Sequence, residues 1–375
     1  MKKILVTKPL LPDIKLFTTK IKSIWDSEIL TNRGDFHKEL EDKLKNFLHV
    51  KNFLLYTNGT IPLFAALKVL NLKGEIITTP FTFPATAHQI LLNGLNPVFI
   101  DIDEKTCNID VKKIENYITD KTSAILAVHV YGNPCDVYAL DAIAKKHNIK
   151  IIYDAAHAFS VEIDNRSILN YGDISTLSFH ATKIFNTAEG GAAISNNDTI
   201  NERLKNFRNF GITGEDTVDS IGLNAKLDEF RSCLGLLNLD IVDKAIEKRK
   251  RISNTYDSLL SNIEGIRYLS FNNNVKRNYS YYPIFIDKDI FGKSRDEVYN
   301  YLKDNCVYTR KYFYPLLTTL PIYSKYKGSS RDELRNAIKI SSEVLCLPLY
   351  PHMQIEDVYY IVDLIKKFNC QKYKI

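Results

Sequence analysis

An α/β fold with a large, mostly parallel central sheet and a smaller C-terminal α+β domain is predicted by three observations. Short apolar runs alternate with helical patterns through the first half of the chain. After about residue 225 that texture gives way to long helical patterns and then to mixed short elements. A length of 375 residues is enough for two domains.

Residues 34–50, GDFHKELEDKLKNFLHV, place Phe36, Leu40, Leu44 and Phe47 at helical spacing, so an amphipathic helix is expected to open the fold. Strands are expected at NFLLY (52–56), EIITT (75–79), PVFID (97–101), SAILAVHV (123–130), IKIIYD (149–154) and STLSF (175–179). Helical patterns fill the gaps, as in IPLFAALKVL (61–70) and YALDAIAKKH (138–147). Strands that alternate with helices form right-handed crossovers and a sheet covered on both faces. The segment 227–263 reads as one or two long helices, and IEDVYYIVDLIKKF as a last one. The expected boundary lies near residue 240, dividing a large domain (1–240) from a small one (241–375).

Composition excludes several classes. Apolar residues make up 45% and charged residues 25%, ordinary for a globular protein with an ample core. Fifty Lys and Arg against 44 Asp and Glu leave +6, spread along the chain. The run Lys248-Arg249-Lys250-Arg251 reads as a solvated helix face, so no nucleic-acid partner is expected. The mild positive balance suits an anionic small substrate. The six cysteines are far apart and form no CxxC pair, against a zinc ribbon or a disulfide framework. The apolar stretch after the basic N-terminus is too broken for a signal peptide, and no run approaches a membrane span. The expectation is a protein of the reduced cytoplasm, away from the membrane. No GxGxxG follows a strand and no HExxH occurs, which sets aside a nicotinamide dehydrogenase and a metal hydrolase.

In sheets of this kind ligands gather at the carboxyl ends of the strands. Asp154 closes IIYD, where a buried carboxylate is costly unless it meets a cation or a protonated ring nitrogen; capping the next helix is the ordinary alternative. Lys183 follows STLSF, and a lysine near apolar strand ends can have a depressed pKa and act as a nucleophile; most lysines are simply surface residues. Gly59 and Thr60, in YTNGT (56–60), would offer backbone N–H groups and a hydroxyl at a helix N-terminus, a phosphate cradle or a plain Asn-Gly turn. The stretch TPFTFP (79–84) offers an aromatic able to stack on a planar ring, or one more core residue. Phosphate cradle, stacking aromatic, acidic partner and lysine fall on one edge of one sheet, the combination that pyridoxal phosphate requires.

The pieces NGT, PFTFPAT, DAAHA, SFHATK, EGG (189–191) and GLNAKLDEF (222–230), in this order and spacing, resemble the DegT/DnrJ/StrS family of nucleotide-sugar aminotransferases. The resemblance runs from LTNRG (30–34) to LPLYPHMQIEDVYYIVDLIKKF (347–368) and implies the aspartate-aminotransferase fold, fold type I of the pyridoxal phosphate enzymes. It implies that Lys183 carries the cofactor, that Asp154 holds the ring nitrogen protonated and that His157 sits beside the ring hydroxyl. Phe83 would be the stacking aromatic, and Gly59, Thr60 and Ser178 the phosphate contacts. Asn224 would reach the phosphate of a partner subunit, which implies a homodimer with shared active sites. The implied reaction takes an amino group from glutamate, through pyridoxamine phosphate, to a nucleotide-linked keto sugar. Within the family, SFHATKIFNTAEGG is more similar to enzymes that aminate C4 of dTDP-4-keto-6-deoxyglucose than to the 3-amino branch. The product, dTDP-4-amino-4,6-dideoxyglucose, would serve O-antigen or other surface polysaccharide synthesis.

Two relatives on the same scaffold compete: a 3-keto sugar aminotransferase, and a cofactor-dependent sugar dehydratase. The dehydratases carry His where Lys183 stands, and His180, three residues earlier, is not that substitution. A non-catalytic regulator has no visible basic recognition helix. Trp25, Asn32, Arg33, Lys311 and Tyr314 are candidates to line the sugar-nucleotide site, each with a structural reading of equal standing. In RKYFYPLLTTLPIY (310–323), Leu317 stands where the family often has His, a departure that bears on how the sugar or diphosphate is held.

Overall fold

The computed structural model describes residues 2–370. Seven strands form the central sheet: β1 Phe53–Tyr56, β2 Glu75–Thr78, β3 Asn96–Phe99, β4 Thr122–Val128, β5 Lys150–Asp154, β6 Ile174–Ser178 and β7 Gly191–Ile194. Their order is β1-β7-β6-β5-β4-β2-β3, and β7 alone runs against the other six. The six expected strands are all present within two residues of their predicted ends. β7 is the addition, a Gly-Ala-Ala run with Ile194 as its single β-branched residue and no aromatic, so little in it marks a strand.

Side chains alternate between the two faces, as a pleated strand requires. Phe53, Leu55, Ile77, Ile151 and Tyr153 enter one apolar cluster, while Leu54, Tyr56, Ile76 and Ile152 enter the cluster on the opposite face. Burial on both faces is why these strands read as continuous apolar runs rather than alternating ones.

The amphipathic helix Asp35–Phe47 forms as predicted but does not open the fold; Ile14–Ser27 precedes it. Asp13 caps that earlier helix, accepting hydrogen bonds from the backbone N–H groups of Lys15 and Leu16. Its only buried residue is Ile24, and Ile14, Leu16 and Trp25 stay exposed, so no inward apolar stripe announced it. Helix Asp35–Phe47 buries His37, Leu40, Glu41 and Leu44. Glu41 accepts from the Leu55 N–H at 2.8 Å and from Arg208, which also donates to the Leu55 carbonyl at 2.6 Å. A buried ion pair thereby fastens this helix to β1.

Helices Glu229–Leu239 and Val242–Leu260 lead to a second antiparallel sheet of β8 Ile266–Tyr268, β9 Tyr282–Ile286 and β10 Val344–Leu347. Its core gathers Ile252, Tyr256, Ile284, Val298, Leu345 and Val358, together with Ile4 from the opposite end of the chain. One residue of the basic run departs from the solvated face expected of it. Arg249 is 2% exposed and donates to the carbonyls of Tyr279, Ser280 and Leu349. Lys248, Lys250 and Arg251 stay exposed, because only Arg249 faces the carbonyls left unpaired at the mouth of the second sheet.

Among the described residues no helix is long and apolar enough to cross a membrane, and no group of His, Cys, Asp and Glu is arranged to hold a metal ion. Five cysteines are free. The side chain of Cys370, and residues 371–375 of the expected small domain, lie outside the described residues.

Candidate active site

A cavity of about 330 Å³ opens at the carboxyl ends of β1, β5 and β6. Its floor is set by close backbone approach. After β1 the chain turns through Asn58 and Gly59 into helix Thr60–Val69, with Asn58 Oδ1 accepting from the N–H groups of Thr60 and Ile61. A Cβ on Gly59 would lie 2.6 Å from the Ser178 Cβ, so only glycine lets the two segments meet. The result is a cup with Ser178 and Thr60 on its wall.

Asp154, the last residue of β5, is 6% exposed. Its Oδ2 accepts from Thr86 Oγ1 at 2.8 Å and its Oδ1 from the Ala156 N–H at 3.1 Å. Thr86 in turn meets Thr82 Oγ1 at 2.8 Å, so a chain of two buried hydroxyls fixes the carboxylate. Burial raises the Asp154 pKa; the two hydrogen bonds and the charge of Lys183 pull the other way. His157 is buried beside it, and its Nδ1 accepts from the Tyr131 N–H at 3.1 Å. That bond puts the ring hydrogen on Nε2, and burial holds the pKa well below 6.5, so the imidazole is neutral.

Lys183 sits on the connection from β6 to β7. Backbone hydrogen bonds cross that connection from Phe179 N–H to Gly190 O, from Ala181 N–H to Ala188 O and from Thr187 N–H to Phe179 O. Loss of solvent around the amine lowers its pKa to about 8, against the pull of Asp154. Its Nζ donates to the Tyr281 hydroxyl at 3.3 Å. Phe83, 59% exposed at the start of helix Pro84–Leu92, lines the cavity.

The structure therefore brings together Gly59, Thr60, Phe83, Asp154, His157, Ser178 and Lys183. Asn224 stands elsewhere: its Oδ1 accepts from Lys226 Nζ at 3.0 Å. Lys226 lines a second cavity of about 200 Å³ with Asn32, Arg33 and Arg208. Lys311 and Tyr314 do not line the Lys183 cavity. Lys311 is drawn 2.5 Å from Asp296 and over the Tyr299 ring, and Tyr314 packs under Arg295. Trp25 is 69% exposed on its helix, and Leu317 is buried with Ala87, Phe99 and Tyr323.

Sequence reasoning missed the wall opposite Lys183, which is built by Tyr281, Tyr312 and Phe313 from the second half of the chain. Their tyrosine-rich stretches were visible in the sequence, but which aromatic faces the cavity depends on packing across the two sheets. His180 and Glu189 stand 3.6 Å apart at the rim.

A desolvated lysine amine and a buried carboxylate in one cavity, at the carboxyl edge of a mostly parallel sheet, are the pair on which a fold type I aminotransferase is built. The chain belongs to the DegT/DnrJ/EryC1/StrS aminotransferase family, whose model matches residues 13–366. It is 45% identical to a dTDP-4-amino-4,6-dideoxy-D-glucose transaminase of Shigella dysenteriae, over 98% of this chain and 100% of that one. An Escherichia coli enzyme of the same name is 44% identical over 97% of this chain and 98% of its own length. The solved structure of DesI with its TDP-sugar product superimposes with a TM-score of 0.94 at 30% identity, covering 99% of this chain and 94% of that one.

Proposed function

We propose that this chain transfers the amino group of glutamate to C4 of dTDP-4-keto-6-deoxyglucose, giving dTDP-4-amino-4,6-dideoxyglucose, with pyridoxal phosphate held at Lys183 and pyridoxamine phosphate as its amino-carrying form. The observation that carries the amino-transfer reading is the Lys183 amine, lowered to about 8 in the same cavity as a buried carboxylate. The sugar and the position of amination are supported by the names of the two relatives at 45% and 44% identity.

The residues fit the cofactor. The cup at Gly59, which a Cβ would fill, matches a phosphate held by Thr60, Ser178 and backbone N–H groups. Asp154 would hold a proton on the ring nitrogen, and its own burial would be offset by that cation. Neutral His157 would offer Nε2–H to the ring hydroxyl, and Phe83 would cover a ring face. Bound there, the cofactor supplies an electron sink for the carbon next to the transferred nitrogen. With the cofactor in place, Lys183 would be the base whose Nζ takes the proton from the donor carbon and delivers it to the carbon on the far side of the transferred nitrogen. An amine with pKa about 8 keeps a far larger neutral fraction near physiological pH than an ordinary lysine, and that fraction can act as the base.

A homodimer completes the reading. Asn224 of a second copy would face the phosphate, and Asn32 and Arg33 would meet the anionic substrate. Exposed Phe210, Val218 and Ile221 around Asn224 support a covered face there. Lys311 and Tyr314, engaged with Asp296 and Arg295, take no part. Residues 1–240 would hold the cofactor and residues 241–375 the facing wall. We place the reaction in the cytoplasm, ahead of polysaccharide assembly.

The test is the visible spectrum of the purified protein supplied with pyridoxal phosphate. A yellow band bleached by glutamate and restored by the dTDP-4-keto sugar is expected, and Lys183→Ala should fold but show neither change. A band that glutamate leaves untouched would refute the donor or the reaction, and no band would refute Lys183 as anchor.

A further inference from the structure

Tyr281 lies one residue before β9, on the far side of the cavity from the strand ends, and its hydroxyl is the hydrogen-bond partner of the Lys183 amine. Its ring centroid is 4.7 Å from that of His157 and 5.7 Å from that of Tyr312. Burial raises the phenol pKa, so the hydroxyl keeps its proton. The segment around it is fastened to the site. Asn278 Nδ2 donates to the carbonyls of His157 and Phe159, both at 2.8 Å, and Ser280 Oγ donates to the His157 carbonyl at 2.7 Å. Arg249, buried behind the segment, donates to the carbonyls of Tyr279 and Ser280. Tyr281 is thus held in register with the loop that carries Asp154 and His157, although it belongs to the second sheet. Thr7, Thr182, Ser280 and Tyr312 surround its other side, leaving room for about one water.

We propose that Tyr281 is a catalytic residue that tethers the freed Lys183 amine, accepting one of its N–H bonds so that the nitrogen lone pair faces the reacting carbon. This rests on the amino-transfer reading above. The proton balance is simple: it leaves the donor carbon for Nζ and passes from Nζ to the carbon on the other side of the transferred nitrogen, while Tyr281 keeps its own. Without the tether, rotation about the Cε–Nζ bond and the adjoining stem scatters the lone pair. Displacements of that kind cost up to about 100-fold in rate.

The test is Tyr281→Phe in the cofactor-loaded enzyme, with protiated and α-deuterated glutamate in single turnovers. The glutamate half-reaction should slow by about 10- to 100-fold while apparent glutamate affinity stays within about twofold, a loss confined to the transition state. The deuterium isotope effect should rise, because proton transfer becomes the slow step; loss of folded protein alone would leave it unchanged. In the cofactor-free proteins, competitive acetylation of Lys183 followed by mass spectrometry should show the amine titrating at lower pH in the variant, since the ammonium has lost its acceptor. Asn278→Ala, which loosens the segment but keeps the phenol, should move both readouts in the same direction and less far. An unchanged rate and isotope effect, or an unchanged Lys183 titration, would overturn the proposal. If the wild-type enzyme ignores glutamate, the amino-transfer reading fails and the catalytic role with it; the acetylation comparison would then still show whether Tyr281 holds the amine.

Discussion

Replacing Thr86 by Val deletes one hydroxyl beneath Asp154 and leaves a side chain of similar size in a fully buried position. The lost bond is a 2.8 Å donation to a carboxylate, and hydrogen bonds to charged groups contribute about 1.5–3 kcal/mol. Thr82, the other partner, is itself buried but borders the cavity, where a water can meet its hydroxyl, so its loss adds little. The expected destabilisation of the cofactor-free protein at neutral pH is therefore about 2 kcal/mol. Its pH dependence follows from the direction of the Asp154 shift. The folded-state pKa is raised above 3.8, so the folded protein holds this proton more tightly than the unfolded chain. The ionised carboxylate thus costs stability above 3.8, and the variant, lacking a donor to the charge, carries a larger cost. The deficit should be greatest at neutral pH and shrink as the pH falls towards 3.8. Urea midpoints of both proteins across that range supply the measurement. A variant as stable as the parent at neutral pH would refute the reasoning, as would a deficit that does not change with pH.

Asp154→Asn should keep the fold and slow both half-reactions by orders of magnitude in stopped-flow spectra, because a neutral amide does not hold a proton on the ring nitrogen. Gly59→Ala drives a Cβ to within 2.6 Å of Ser178 and should weaken cofactor binding more than about tenfold in a titration of the cofactor-free protein. Unchanged affinity there would remove the phosphate from this turn. Glu41→Gln leaves buried Arg208 without its carboxylate and should cost about 3–5 kcal/mol in thermal or urea unfolding. Burial alone would raise the Glu41 pKa, but Arg208 and His37 outweigh it and hold it at about 2, below the ordinary 4.5. The stability this carboxylate contributes is complete above 4.5 and is lost as pH falls through about 2, a loss the glutamine variant should not show.

The parallel strands were legible because each is buried on both faces, and only long apolar runs satisfy that. β7 was not, for a local reason. A Cβ on Gly191 would lie 2.4 Å from the Asn58 carbonyl, so the close approach that shapes the cup removes the residue types that mark a strand. Asp154 and Lys183 could be singled out because one closes a recognisable strand and the other follows one. Tyr281 and Phe313 could not, since one precedes a strand of the second sheet, the other lies in a turn, and only tertiary packing turns them inward. Arg249 was misread for a related reason: the carbonyls it serves belong to residues 30 and 100 positions away. Lys311 and Tyr314, plausible side chains in the sequence, are engaged with neighbours on Arg295–Asp304, contacts that no local pattern announces.

The cross-braced connection that carries Lys183 has a consequence for where the molecule moves. Its ends leave and re-enter adjacent strands, and Phe179, Ala181 and Thr187 spend their amide hydrogens on partners inside the same loop. Those amides are released only when β6 and β7 part, which means opening the middle of the sheet. Deuterium uptake there should be among the slowest in the protein, while the chain around Phe83 and Tyr314 should exchange sooner. Any breathing that admits a molecule as large as a sugar nucleotide then belongs to the aromatic wall and the rim, with the amine as the still point around which they open.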